Sequence, residues 1–171
     1  ADKLLINSSI YENINLINSL VNSYGKQCII GSIDYKESKF DKNVLSIMIK
    51  NGSIEINKEF YQWIDYLIDN NIGEILLQSI DKDGTGTGLY DNLDKKRLSE
   101  LSVPVIMMGG VGNFDHIYNG FNEKFTNAIS TSNILNFIGD SFFNNRKFLI
   151  KKNIELPDWS LKDFTKFENI F

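Results

Sequence analysis

Apolar runs of strand length alternate along this chain with stretches whose apolar residues recur every three or four positions. That alternation is the pattern of βα units wound onto a parallel sheet. "KLLIN" (3–7) opens the series as a strand, and Ser9 with Glu12 stands at capping-box spacing before Ile10, Ile14, Ile17 and Val21. One helix is expected there, stopped by Gly25. "QCIIGSID" (27–34) reads as the second buried strand, with Asp34 at its end. "VLSIMIKNGSIEI" (44–56) alternates around an Asn-Gly turn, which predicts a β-hairpin inserted in a loop.

Phe60, Trp63, Ile64, Leu67 and Ile68 mark one face of a helix with Asn57 as its expected N-cap, leading into the strand "EILLQS" (74–79). After a long polar loop come a short helix over 93–101, the strand "VPVIMM" (103–108), "GGVG", and a helix carrying Phe114, Ile117, Tyr118 and Phe121. "TNAIST" (126–131) is the fifth main strand, followed by a helix over 137–151 and a tail from Pro157 with Trp159, Phe164, Phe167 and Phe171. No linker or low-complexity segment interrupts the series, so residues 1–171 read as part of a single domain.

Composition narrows the chemistry. With 42% hydrophobic residues in a chain of 171, a core can form. A net charge of −4, from 18 basic and 22 acidic residues without a Lys/Arg block, speaks against a nucleic-acid partner. One cysteine, Cys28, and one histidine, His116, cannot make a disulfide or a three-ligand zinc site, so no metal is expected and Cys28 reads as a small core residue. No apolar run reaches the roughly 18 residues of a membrane span and no signal-like segment opens the chain, so no membrane association and a cytoplasmic location are expected. The abundance of Asn, Ile and Lys is read as codon bias, and no role is assigned to the asparagines.

The candidate chemistry lies where strands end. In parallel α/β folds, backbone amides and helix starts at the C-terminal strand ends are free to meet an anion. "EILLQSIDKDGTGTGLYD" (74–91) crosses such an edge, with Asp81, Asp83, Gly84 and Thr85 crowning it and Thr87 as a further hydroxyl, although Asp-Gly and Thr-Gly also serve simple turns. "VIMMGGVGN" (105–113) ends a second strand in Gly109 and Gly110 before the N-cap Asn113, and "STSN" (130–133) ends a third with Thr131 and Ser132. Asp34 shares a strand face with Ser32, where a carboxylate can act as acid or base or merely bond to solvent.

Together "ADKLLINSS", "QCIIGSIDYK", "GEILLQSIDKDGTGTG", "VPVIMMGGVGN" and "AISTSN", in this order, resemble the cyclase subunit of imidazole glycerol phosphate synthase, the HisF family. The resemblance implies an α/β fold: a partial TIM (β/α)8 barrel of about five parallel strands, the fourth to eighth, with the inserted hairpin. It implies a lyase/cyclase of histidine biosynthesis. Ammonia from a class I glutamine amidotransferase (HisH-like) partner crosses the barrel and attacks a bis-phosphorylated ribulosyl carboxamide, giving imidazole glycerol phosphate and an aminoimidazole carboxamide ribotide. Such proton-transfer chemistry implies no cofactor.

By motif, Asp34 takes the place of one of the family's two catalytic aspartates, as general acid or base around ring closure, and Asp83 that of the aspartate in its Asp-Gly-Thr loop near the substrate, so the resemblance implies a catalytic role for both. Gly84, Thr85, Gly109, Gly110, Thr131 and Ser132 fall on segments that cradle the substrate's phosphates. Lys3 and Glu74 match the charged ring where ammonia enters, a position a surface ion pair would also explain.

Departures qualify the match. The family's other catalytic aspartate lies on a first strand that this stretch does not include, so the isolated piece is expected to be inactive in cyclisation. Gln78 and Met108 stand where the family usually has small hydroxyl residues, the "GTGTGLYD" loop is one residue longer than usual, and the hairpin is less basic. These features are similar to HisF-like paralogues of surface-polysaccharide clusters, which supply ammonia for N-acetyl sugar amidation. A phosphoribosyl isomerase barrel, against which Lys3 and Glu74 argue, and a non-catalytic glutaminase-binding barrel fragment are the remaining alternatives.

Overall fold

The computed structural model describes residues 2–41, 43–132, 134 and 141–156, apart from the side chains of 141–143 and 145. They fall into two units, 1–139 and 140–171. The first unit holds a seven-stranded sheet. Five strands run parallel: β1 (Leu4–Ile6), β2 (Ile29–Glu37), β5 (Glu74–Ser79), β6 (Val105–Met108) and β7 (Thr126–Ser130). They lie side by side in chain order with helices between them: α1 (Ser8–Glu12), α2 (Asn15–Tyr24), α3 (Phe60–Asp69), α4 (Lys95–Ser99) and α5 (Phe114–Phe121). This is the arrangement of part of a (β/α)8 barrel, as the sequence pattern predicts. Among the described residues β1 pairs with β2 alone and β7 with β6 alone.

The hairpin is present as β3 (Leu45–Ile49) and β4 (Ile54–Ile56), with Lys50, Asn51 and Gly52 all at positive φ in its turn. It does not merely sit in a loop. β3 pairs antiparallel with the last four residues of β2, Asp34 to Glu37, so the hairpin extends the sheet above the parallel strands. Asp34 is therefore not the last residue of its strand. It is still at the rim of the parallel sheet, because the β2–β5 ladder stops one residue later, at Tyr35 and Ser79.

The expected first helix breaks in two. Asn13 is extended (φ −151°, ψ 92°) and closes α1, and α2 starts at Asn15. Two asparagines of low helix propensity flank Ile14, and the break still leaves Ile10 and Ile17 buried. The Ser9–Glu12 capping box does not form, for Asn7 takes the N-cap position without a side-chain cap bond. Gly25, at φ 86°, stops α2 as expected. Before α3 the cap is Glu59, not Asn57: its carboxylate accepts the N–H groups of Tyr61 and Gln62.

The core lies on the outward, helix-covered face of the sheet. Ile29, Ile33, Tyr35, Ile75 and Leu77 point there and are almost fully buried with Phe60, Ile64, Leu67 and Ile72 of α3 and the turn after it. Gly31 leaves room for that packing, since a Cβ on it would stand 3.0 Å from Ile72. Cys28 is only partly buried and packs against this core.

In the second unit, α6 (Ser141–Lys151) ends in a Schellman turn. Asn153 is left-handed at φ 60°, its N–H donates to Ile150 O at 3.0 Å, and the Ile154 N–H donates to Leu149 O at 3.1 Å. The first part of the helix expected over 137–151 and the aromatic tail from Pro157 lie outside the described residues. Among the described residues no helix is long and apolar enough to cross a membrane.

Candidate functional site

Strand register stacks the inward face of the parallel sheet into layers. At the N-terminal end Lys3 and Glu74 form an ion pair, with Ile30 the register partner of both Leu5 and Glu74. Ser32, Leu76, Ile106 and Ala128 form the next layer, in which only Ser32 carries a polar side chain. Asp34, Gln78, Met108 and Ser130 make the layer at the C-terminal rim. Gln78 and Met108 thus face inward, as strand alternation predicts.

The loops beyond β5, β6 and β7 meet over this rim. Asp83, Gly84, Met108, Gly109, Gly110, Val111, Ser130, Thr131 and Ser132 line one small cleft. Gly109 and Gly110 make the approach possible. Both hold positive φ, 103° and 92°, and a Cβ on Gly109 would stand 2.5 Å from Ser79 O. Asn113 then starts α5 by accepting the His116 N–H on Oδ1 at 3.0 Å.

Thr85 is the exception among the expected residues. It does not line the cleft, because its hydroxyl donates to Lys82 O at 2.7 Å and contacts the Thr87 hydroxyl at 2.9 Å, inside its own loop. Asp81 is likewise occupied, accepting the Glu37 N–H at 2.8 Å and fastening the β5 loop to the end of β2.

Asp34 is half-buried beside the cleft. Burial raises its pKa above the ordinary carboxylate value; hydrogen bonds from Ser32, whose Oγ donates to Oδ1 at 3.4 Å, and from Asn7 lower it, and the Asp83 charge raises it again. The net direction is upward. Gln78 lies between the two carboxylates: it is Asp34's register partner on β5, and its Nε2 donates to Asp83 Oδ2 at 3.4 Å. Lys3 and Glu74 sit at the opposite end of the same face, away from the cleft. No cluster of histidine, cysteine and carboxylates suited to a metal ion occurs among the described residues.

Ser130, the last residue of β7, belongs to the "STSN" segment that the sequence offers for its hydroxyls, whereas Asn7 and Val111 at this rim are not singled out there. Asn7 carries the inward alternation of β1 one step beyond the strand, which is the signal that points to it.

The sequence profile of the histidine biosynthesis protein family matches residues 1–137. The chain belongs to that family. Its similarity extends to a protein of Parasynechococcus marenigrum (strain WH8102) provisionally named imidazole glycerol phosphate synthase subunit hisF2. The two are 34% identical over 168 residues, which cover 98% of this chain and 61% of that protein. The imidazole glycerol phosphate synthase subunits HisF of Prochlorococcus marinus (strain NATL1A) and Chloroherpeton thalassium (strain ATCC 35110 / GB-78) are 31% and 33% identical, each over 91% of this chain and 61% of the relative. The chain therefore spans about three-fifths of the length of the curated relatives it matches. In this chain the cleft described above is formed by glycine- and hydroxyl-bearing loops at three successive strand ends.

Proposed function

We propose that this chain forms the phosphate-holding and carboxylate-bearing part of a HisF-type cyclase. Ammonia from a HisH-like class I glutamine amidotransferase is added to a bis-phosphorylated ribulosyl carboxamide, which is cleaved and closed into imidazole glycerol phosphate. The observation that carries this reading is the cleft in which Asp83, Gly84, Gly109, Gly110, Thr131 and Ser132 meet beside Asp34. Glycine backbones and hydroxyls suit a phosphate dianion, and a carboxyl with a raised pKa suits proton transfer during ring closure. Asp83, on the cleft wall, is placed to orient the substrate or share that transfer.

The layer of Leu76, Ile106 and Ala128 below the rim favours neutral ammonia over ammonium, and the Lys3–Glu74 pair marks the end at which ammonia would enter. A cytoplasmic setting and the absence of an organic cofactor or metal are parts of this reading, as is inactivity of the isolated piece in cyclisation. A second reading rests on Gln78 and Met108, whose long side chains occupy the rim layer next to Asp34. It makes the chain a HisF-like paralogue that passes ammonia to amidation of an N-acetyl sugar.

Calorimetric titration with the bis-phosphorylated carboxamide tests the first reading. Saturable binding is expected, weakened by about tenfold or more in a Thr131→Val, Ser132→Ala variant, since hydrogen bonds to a charged group contribute about 1.5–3 kcal/mol. No binding, or binding indifferent to the substitutions, would refute it.

A further inference from the structure

His116 is the chain's one histidine, and nothing proposed above uses it. Its position is nevertheless strongly constrained. The Gly112 N–H donates to His116 Nδ1 at 3.1 Å, while the His116 N–H donates to the cap oxygen of Asn113. The ring thus lies back beneath the loop that carries Gly109 and Gly110. The neighbouring loop leaves room beside the ring, where a Cβ added to Gly88 would stand 3.6 Å from Cδ2 of the imidazole.

Those two loops are pressed backbone on backbone. Gly88 donates its N–H to Gly110 O at 2.8 Å, and a Cβ on Gly112 would stand 2.6 Å from both Cα and O of Gly86. The imidazole is bonded to the second of these loops through Gly112 and lines the same pocket as Gly88 of the first. Accepting a hydrogen bond at Nδ1 requires a lone pair there, so the ring is the neutral Nε2–H tautomer. Its 3.3 Å contact with Asn113 Nδ2 is then between two donors and fixes nothing, which leaves the Gly112 bond to set the ring's place.

We propose that His116 is a positioning residue for the anion cleft. Its Nδ1 holds the Gly112 amide, two residues beyond the Gly110 carbonyl to which Gly88 is bonded, so that the Gly109–Gly110 turn keeps facing Asp83 and Gly84. The inference rests on the phosphate reading of the cleft, and it concerns a side chain that does not line the cleft itself.

The test uses the 15N-labelled chain, amide hydrogen exchange without ligand, and titration with inorganic phosphate. His116→Phe keeps a ring without the acceptor; His116→Asn restores an acceptor oxygen near the place of Nδ1. For a lost hydrogen bond of about 1 kcal/mol, exchange at Gly112 should quicken, and phosphate affinity fall, by about fivefold in the Phe variant. The Asn variant should recover most of both, and the buried Leu77 amide of β5 should exchange at the wild-type rate in each. Unchanged Gly112 exchange in the Phe variant, failure of Asn to rescue, or equal acceleration at Leu77 would overturn the proposal. If the wild-type chain takes up no phosphate, the reading of the cleft falls, and exchange at Gly112 and Gly88 alone decides whether His116 fastens the loops.

Discussion

A half-buried carboxyl next to a second carboxylate keeps its proton to higher pH than it would in water, and Asp34 is in that position. Between its ordinary pKa of 3.8 and its raised folded value, the folded chain binds more protons than the unfolded one. The stability contributed by protonated Asp34 is therefore fully present below 3.8 and is lost as pH rises through the folded pKa. Asp34→Asn is expected to raise the urea midpoint at neutral pH and to leave it unchanged below about pH 3. Urea titrations at the two pH values check this, and a variant less stable at neutral pH would mean that the charged carboxylate is better satisfied than its burial implies. Thr85 is different, because its place in the motif matched a phosphate loop while its hydroxyl is taken up by Lys82 O. Spacing could identify the loop but not where one rotatable hydroxyl points.

Helix ends are where sequence and structure diverge at the scale of the element. The strands and the helix faces were legible, down to the Gln78 and Met108 orientations, because period-2 and period-3.6 patterns survive any small shift of a boundary. Caps depend on the local φ and ψ of one residue and were legible only in part. Asn113 and Gly25 act as expected, but Glu59 displaces Asn57, and the Ser9–Glu12 box gives way to a break at Asn13. Glu59→Ala should therefore destabilise by about 1 kcal/mol in chemical denaturation, while Asn57→Ala should change little. The reverse order would restore Asn57 as the cap. Two asparagines to which composition assigns no role also end helices. Asn71 at φ 67° closes α3 as Asn153 closes α6, its N–H donating to Ile68 O and that of Ile72 to Leu67 O, with both of those last side chains fully buried. A compositional bias towards Asn thus supplies left-handed caps where glycine is the commoner choice.

Across the sheet as a whole, the two faces have different tasks. The outward face with its helices holds nearly all the fully buried side chains, so it secures the fold. The inward face carries a charged pair at one end, a mostly apolar layer, and carboxylates under three converging loops at the other. Register produces this ordering: parallel pairing in chain order places equivalent positions of β2, β5, β6 and β7 side by side, and each loop that follows must emerge at the same rim. A larger groove of about 630 Å³ runs between the hairpin and the start of α3, lined by residues including Ser46, Glu55, Asn57 and Tyr61, and it is the natural competitor for a ligand. A crystal structure of the chain with the bis-phosphorylated carboxamide distinguishes them. One phosphate is predicted against Gly109–Gly110 and Thr131–Ser132, with the carboxamide end reaching towards Asp34; the same ligand in the hairpin groove, or at the Lys3–Glu74 end, would contradict the account.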